Sequence, residues 1–419
     1  MAAWDSAVGG DAWAKVRGIG SAGMLVGIPC FNNALTIGHV VSSAAEGLAL
    51  HFPGVRGVIV ASDGGSTDGT LQVVERTPVP DGVEKVALTY QGIPGKGSAF
   101  RAIFEIARAL GVKGCVVVDS DLRSITPDWI RLLGNPVADG SYGYVAPFYV
   151  RHKYDGTITN SIAYPMTRAL YGVAVRQPIG GDFGFSAGLL DHYLGQDVWE
   201  SDVARFGIDI WMTTTAINQG FRVCQAHLGA KIHDAKDPAA SLGPMFRQVV
   251  GTLFALMKRH ERRWAVAAGS APAPLVGEPV SVEPEPVPVT VSAMVERFRA
   301  AYRAERGFWA GFLAEENLRQ LDAISETPEE GFLFPVDLWV KIVYDFAVAY
   351  HRADLDSSRV VEALTGLYYG RTAAFCRETA TMTTAQVESG TIEEVARRFE
   401  ELKPYLVRRW RESALLGRP

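Results

Sequence analysis

Residues 116–124 read VVVDSDLRS, an apolar run that ends in two carboxylates, Asp119 and Asp121, with one residue between them. Desolvating a carboxylate is costly, so a strand end carrying two of them needs a use. A hard divalent cation such as Mg2+ or Mn2+ takes oxygen ligands and is commonly held by one or two carboxylates together with substrate phosphates. Acids at i and i+2 just past a strand can both turn to one such ion. The same two residues can also do no more than lead into the next helix, whose start is signalled by Thr126-Pro127-Asp128.

Two further clusters sit behind apolar runs. GVIVA at 57–61 is followed by SDGGSTDGT at 62–70, where Asp63 could orient toward a base or a ribose; turn chemistry accounts for the glycines without requiring Asp63. GIPGKG at 92–97 opens a helical stretch. Flexible backbone, a helix N-terminus and Lys96 together suit a diphosphate.

The elements that must position these clusters alternate. MLVGIP (24–29), GVIVA (57–61), KVALTY (85–90) and the run at 114–118 read as strands, separated by helical patterns over 34–49, 70–75 and 97–110. Strand and helix in alternation predict an α/β fold with parallel strands and helices on both faces. Ligands in such sheets bind beyond the carboxyl ends of the strands. The segments after the first, second and fourth strands should therefore gather along one rim.

Composition narrows the function classes. The 41 basic and 46 acidic residues give a net charge of −5, which offers no general attraction for nucleic acid or an anionic membrane. Cys30, Cys115, Cys224 and Cys376 lack metal or redox spacing and read as reduced core residues, as in a cytoplasmic protein. The first residues lack a basic start followed by an apolar run, and no later stretch is an uninterrupted apolar run of membrane length, so neither export nor membrane insertion is expected. Residues 267–291 are rich in Pro, Ala, Val and Glu and predict an extended connection, after which amphipathic helical patterns continue from 292. The expected division is thus a nucleotide-binding domain over 1–260, a connection over 261–291 and a helical subdomain over 292–419.

The order of the clusters is informative. PCFNN (29–33), SDGGSTDGT (62–70), GKG (95–97) and DSD (119–121) resemble the GT-A (Rossmann-like) glycosyltransferases over about residues 22–235. RHKYDGTIT (151–159), QPIGG (177–181), FGID (206–209) and GAKIH (229–233) are similar, more narrowly, to mannosylglycerate synthase and related glucosylglycerate synthases. The resemblance implies a retaining enzyme that moves glucose or mannose from a GDP- or UDP-linked sugar to D-glycerate, producing a compatible solute. It implies a Mg2+ or Mn2+ ion on Asp119, Asp121 and His233. Arg151, Asp155 and Thr159 would contact the acceptor together with Gly180. The donor would lie along Pro29, Phe31, Asn33, Asp63, Gly95, Lys96, Ser120 and Gly181, with Asp209 and Asp182 beside the reacting sugar. A homo-oligomer, in the simplest case a dimer, is expected.

Residue chemistry agrees with this assignment while leaving plainer uses open. Arg151 is a planar fork suited to a small carboxylate, and it could equally pair with Asp155 on the surface. Asp155 and Thr159 would share its face if the segment were helical. His233 is either a buried imidazole or a ligand. Gly180-Gly181 suits close backbone approach, and Asp182 could reach sugar hydroxyls. 3-Phosphoglycerate as acceptor would call on His152 and Lys153. The sequence DFGFSAGLL after Gly181 departs from the family pattern and leaves the sugar open. Other functions compatible with the fold are an inverting polysaccharide or lipid-type transferase and a non-catalytic nucleotide-sugar-binding module.

Overall fold

The computed structural model describes residues 6–233, 243–280, 282 and 284–416. It divides into two compact units: one drawn from residues 1–150, 175–234 and 273–284, the other from 151–174, 235–272 and 285–419.

The first unit is built on strands β1 (Met24–Cys30), β2 (Gly57–Asp63), β3 (Val83–Thr89), β4 (Gly114–Val117) and β5 (Tyr144–Val150). β7 (Phe183–Ser186), β8 (Val223–Ala230) and the two-residue β10 (Leu275–Val276) complete it. Their order is β10-β8-β5-β7-β4-β1-β2-β3. β1 and β2 are buried along their whole length, as continuous apolar runs covered on both faces must be. β3 alternates buried and exposed positions and places Glu84 and Lys85 along the free edge, which discourages further pairing.

Helices α2 (Ile37–His51), α3 (Thr70–Arg76), α4 (Lys96–Ala109) and α5 (Pro127–Ala138) follow the strands as the sequence predicts, and α1 (Gly10–Ile19), which it does not, precedes them. Val26 and Ile28 of β1 share one core with Ile37, Val40 and Val41 of α2 and Trp129, Ile130 and Leu133 of α5. Gly27, between them, faces the other way, toward Ile103 of α4, so the strand's two faces are sealed by different helices.

The parallel expectation holds for β1 against β2 and β4, and for β2 against β3. It fails at β7, which runs antiparallel between β4 and β5. FGFS is too short to carry a directional signal, and only its partners decide its sense. Within the Pro-rich stretch, Leu275–Val276 forms β10 beside β8. There the Gln225 amide N–H donates to the Pro274 carbonyl at 2.7 Å.

The second unit is helical. It comprises α6 (Tyr164–Tyr171), the π-helical turn Thr159–Ala163, and helices Gly243–Arg259, Val291–Trp309, Glu315–Glu326, Val336–Ala349, Ser357–Glu378, Glu393–Glu401 and Lys403–Leu416, with the short pair β6 (Val173–Ala174) and β9 (Ala271–Pro272). One buried acid ties three of these helices. Asp345 accepts from the Ala314 amide (3.1 Å), Asn317 Nδ2 (2.9 Å), the Tyr405 hydroxyl (2.7 Å) and Arg409 Nε (2.9 Å). These donors satisfy the hydrogen-bonding needs of a carboxylate placed inside a core. Compactness therefore does not follow chain order: residues 151–174 and 243–260, expected with the nucleotide-binding domain, fall in one unit with the C-terminal helices instead. Sequence reading divides a chain at composition shifts, whereas packing divides it at contacts.

Candidate active site

The loops after β1, β2 and β4 meet at one rim and are knitted by their own polar side chains. Asn33 Oδ1 accepts from the Phe31 amide at 3.0 Å and from Ser120 Oγ at 2.8 Å, which joins the first loop to the fourth. The Asn33 amide donates to Thr70 Oγ1 at 2.8 Å and the Asn32 amide to Ser66 Oγ at 2.7 Å, joining the first loop to the second. Pro29 lies opposite Ser62 in the β1–β2 register, one residue before the strand ends. Phe31 remains 60% exposed at this rim, a free aromatic face.

Asp63 is placed differently from the expectation of a side chain reaching a ligand. It is buried, and its Oδ2 accepts from the Gly65 and Ser66 amides, both at 2.8 Å, while Oδ1 accepts from Ser66 Oγ at 2.5 Å. Turn chemistry does use this carboxylate: it winds the loop that presents its neighbours.

Lys96 is the first residue of α4 and is nearly enclosed. Its Nζ lies 2.9 Å from Asp119 Oδ1 and 3.1 Å from Asp209 Oδ2. Burial opposes its charge, but the Asp119 and Asp209 carboxylates outweigh it and raise its pKa. Gly95 precedes it, with its amide on the Tyr90 hydroxyl at 2.8 Å. A Cβ on Gly97 would lie 1.8 Å from the Val203 carbonyl oxygen, so only glycine lets α4 start here. The Gly97 amide donates to the Arg205 carbonyl at 3.2 Å, so part of the helix N-terminus is already satisfied by protein.

Lys231 is a residue that reading along the chain leaves without a role. It is buried, and its ammonium donates to Asp119 Oδ2 (2.7 Å), Asp182 Oδ2 (2.9 Å) and the Gly180 carbonyl (2.8 Å). Each Asp119 oxygen thus carries one lysine. Burial would raise the Asp119 pKa, yet Lys231 and then Lys96 pull it far below the usual carboxylate range. Asp182 is fully buried and also takes the Asp119 amide at 2.7 Å and the Tyr149 hydroxyl. Its acceptor capacity is used within the protein, so it positions Asp119 and Lys231 instead of facing a sugar. Gly181, at φ +92°, passes so close that a Cβ would stand 2.2 Å from Asp119 Oδ2.

Asp121 and His233 form the open side of the site. His233 Nδ1 lies 3.9 Å from Asp121 Oδ2, brought there by the Ile232 amide on Ser124 Oγ (2.9 Å) and the Arg123 amide on the Ile232 carbonyl (2.8 Å). Burial and then the Asp119 charge raise the Asp121 pKa. Among the described residues no three His, Cys, Asp or Glu side chains form a ready metal cage. A carboxylate and an imidazole side by side are nonetheless a donor set that fits Mn2+ or Mg2+ shared with a diphosphate.

Asp209, in the first turn of α8 (Ile208–Asn218), is buried, and burial raises its pKa against the pull of Lys96. Its Oδ1 has no hydrogen-bond partner among the described residues. A buried acceptor left open in this way is costly and marks a place for a donor.

Arg151, Asp155 and Thr159 belong to the second unit, while Gly180 belongs to the first. Arg151 Nε lies 3.6 Å from Asp155 Oδ2, the i,i+4 pairing that the spacing allows, with both side chains largely buried. The segment is not one helix. It turns over 152–155, with the Asp155 amide on the His152 carbonyl at 2.8 Å, and becomes helical only from 157, so Thr159 begins a π-helical turn and is buried. The neighbouring basic groups are committed elsewhere. Lys153 Nζ donates to the carbonyls of Thr379 (2.8 Å), Ala380 (3.2 Å) and Met382 (2.7 Å), closing the C-terminus of helix Ser357–Glu378. His152 Nδ1 accepts from the Val287 amide at 3.2 Å, and burial followed by the Lys153 charge lowers its pKa.

The sheet has the mixed α/β topology of a GT-A fold, with clustered acids and lysines beyond its strand ends, and residues 25–194 match the family described as Glycosyl transferase family 2. No curated protein sequence matches the chain. Among solved structures, glucosyl-3-phosphoglycerate synthase from Mycobacterium tuberculosis in complex with Mn2+, uridine diphosphate and phosphoglyceric acid is similar at 24% identity over 61% of this chain and 83% of that chain, with a TM-score of 0.44. The same enzyme with Mg2+ and uridine diphosphate is similar at 23% identity over 61% of this chain and 84% of that one, with a TM-score of 0.43. No helix among the described residues is long and apolar enough to cross a membrane.

Proposed function

We propose that the protein transfers glucose or mannose from a nucleotide-diphosphate sugar to D-glycerate, with a Mg2+ or Mn2+ ion held by Asp121, His233 and the donor's diphosphate. The observation that carries this reading is the joined cluster Lys96–Asp119–Lys231 beside Asp209, whose buried Oδ1 lacks a partner among the described residues.

The ion, when bound, supplies Lewis-acid stabilisation to the leaving diphosphate. Lys96 stays charged through its carboxylate partners, and an ammonium has three donors, of which those pairs use two. The third is available to a phosphate oxygen, where positive charge counts most as the diphosphate departs. Asp119 supports the site through its charge, since each of its oxygens is taken by a lysine. Asp209 Oδ1 accepts a hydroxyl of the donor sugar and fixes the ring for front-side attack, with retention at the anomeric carbon. Phe31 offers its exposed face to the base. The loop wound by Asp63, with Asn33 and Ser120 locked together beside it, holds that face in place.

Arg151 grips the acceptor carboxylate, and Asp155 and Thr159 orient its hydroxyls. Glycerate is favoured over 3-phosphoglycerate because both further basic groups are occupied: Lys153 by three carbonyls and His152 by the Val287 amide. A phosphate there would meet no uncommitted cation from either.

The test is a panel of UDP- and GDP-linked glucose and mannose offered with D-glycerate or 3-phosphoglycerate, with and without Mn2+, with products read by mass spectrometry. The expected result is a hexosyl glycerate and a nucleoside diphosphate, formed only with metal. Nucleotide release without a glyceroside, or preferred use of the phosphorylated acid, would overturn the acceptor assignment.

A further inference from the structure

Residues 6–8 precede the sheet and carry none of the site chemistry, yet they bind two points that bracket Lys96. The Ala7 amide donates to both oxygens of Glu105, at 3.0 and 3.2 Å, and Ser6 Oγ donates to Oε2 at 2.5 Å. The Ala7 carbonyl in turn accepts from the Gln91 amide at 2.9 Å. Ala7 is fully buried and Glu105 nearly so, with Arg101 Nε on Oε1 at 2.9 Å as its remaining partner.

The placement gives these bonds a consequence. Gln91 begins the loop that runs from β3 to Lys96, and Glu105 lies nine residues beyond Lys96 on α4, about 13.5 Å along the helix axis. One residue, through its amide and its carbonyl, therefore links the start of the loop to the body of the helix that the loop feeds. The loop is held on its other side by the Tyr90 amide on the Asp63 carbonyl at 3.1 Å. With both ends tied, α4 cannot slide along its axis without breaking charge-assisted bonds to a buried carboxylate, and such bonds are the stronger kind.

We propose that residues 6–8 are a positioning strap for Lys96, so that affinity for the donor's diphosphate depends on a segment outside the donor site. This rests on the assignment of Lys96 to the diphosphate. The strap acts chiefly on the phosphate side, because the first two rim loops are knitted to each other by Asn32, Asn33 and Ser66 and meet the strapped loop at the Tyr90–Asp63 backbone bond.

The experiment uses the full chain with Mn2+ and compares wild type with Glu105→Ala and Glu105→Gln. UDP and GDP are titrated by calorimetry, and uridine and guanosine by ligand-observed NMR. Glu105→Ala is expected to weaken binding of the diphosphate that wild type prefers by roughly tenfold, the cost of one displaced charged contact, while the matching nucleoside binds as before. Glu105→Gln keeps an acceptor for the Ala7 amide and should recover most of the loss. Equal loss for diphosphate and nucleoside, or no loss, overturns the proposal. If Glu105→Ala fails to fold, Ser6→Ala removes the hydroxyl donor alone. It should shift diphosphate binding in the same direction, and unchanged binding overturns the strap. Should wild type bind neither UDP nor GDP, the assignment of Lys96 falls and the strap falls with it. That outcome is distinct from a strap failure, in which wild type and variants bind the diphosphate alike.

Discussion

Lys231→Met is the sharpest test of how the site is held. The ammonium lies 2.7 Å from Asp119 and 2.9 Å from Asp182, with the lysine side chain 3% exposed and that of Asp182 fully enclosed. At an effective dielectric of about 20, each pair attracts by roughly 6 kcal/mol, against which several kcal/mol were spent in desolvating the lysine. Methionine fills similar volume but leaves two carboxylates facing each other. Asp119 then keeps Lys96, and Asp182 keeps the Asp119 amide and the Tyr149 hydroxyl, so the loss is partial. The net expectation is a destabilisation of about 3–5 kcal/mol, the range for breaking a buried pair from one side. The sign with pH follows from Asp119: its pKa is depressed in the folded protein, so its share of the stability is present at pH 7 and is lost only as pH falls below the unfolded carboxylate value of about 3.9. Urea unfolding followed by tryptophan fluorescence measures the loss. Asp182→Asn in the same background removes one stranded charge, so the double variant should be more stable than the sum of single effects by over ~1.5 kcal/mol. A Lys231→Met protein within about 1 kcal/mol of wild type, or strict additivity with Asp182→Asn, would refute the argument, since exposed pairs behave that way and buried ones do not.

Gly181→Ala should leave the sheet folded by circular dichroism while lowering turnover at least ~100-fold, because its Cβ at 2.2 Å from Asp119 Oδ2 forces that carboxylate off its lysines. Asp121→Asn should abolish turnover and weaken Mn2+ binding, read from the paramagnetic resonance signal of free Mn2+; full activity in that variant with chelator present would contradict the metal role. Lys153→Met should cost about 1 kcal/mol of stability, chiefly through the buried Thr379 carbonyl because the exposed Ala380 and Met382 carbonyls regain water, and should leave the KM for glycerate unchanged. His260, lowered to about 4 by burial and by Arg259 and Arg263, resists a proton that the unfolded chain accepts below 6.5. Stability should therefore fall as pH drops from 6.5 toward 4, by less than about 2 kcal/mol because the ring is only partly buried, and His260→Gln should flatten that slope in urea melts at pH 7 and pH 5.

How much of this was legible follows from range along the chain. MLVGIP and GVIVA announce buried strands because burial on both faces demands unbroken apolar runs, and the helices between them show through their periodicity. The two-residue β10 and the antiparallel β7 carry no such pattern, because their place is set by neighbours far away in sequence. The same distinction runs through the site. DSD, GKG and the Asp63 turn are local and were visible, but the use of Asp63 was not: a carboxylate that winds its own loop and one that reaches a ribose look alike in sequence. Arg151 and Asp155 show the converse, since an i,i+4 pair is predictable and the pair is present at 3.6 Å.

Lys231 is the instructive omission, because it sits 112 residues from Asp119 and pairing at that range has no sequence signature. Charge balance could still have found it. Once Asp119, Asp121, Asp182 and Asp209 are all assigned to one rim, four acids stand there against Lys96 alone, in a place where burial makes unpaired charge untenable. A divalent ion shared with an anionic diphosphate does not close that gap, since the ligand brings its own negative charge. A second cation must come from a segment already tied to the rim, and of those segments GAKIH supplies a lysine two residues before His233. Residues named for direct contact with a ligand thus imply the residues that must neutralise them, and Lys231 is one of the few basic residues in the site segments that could meet the requirement.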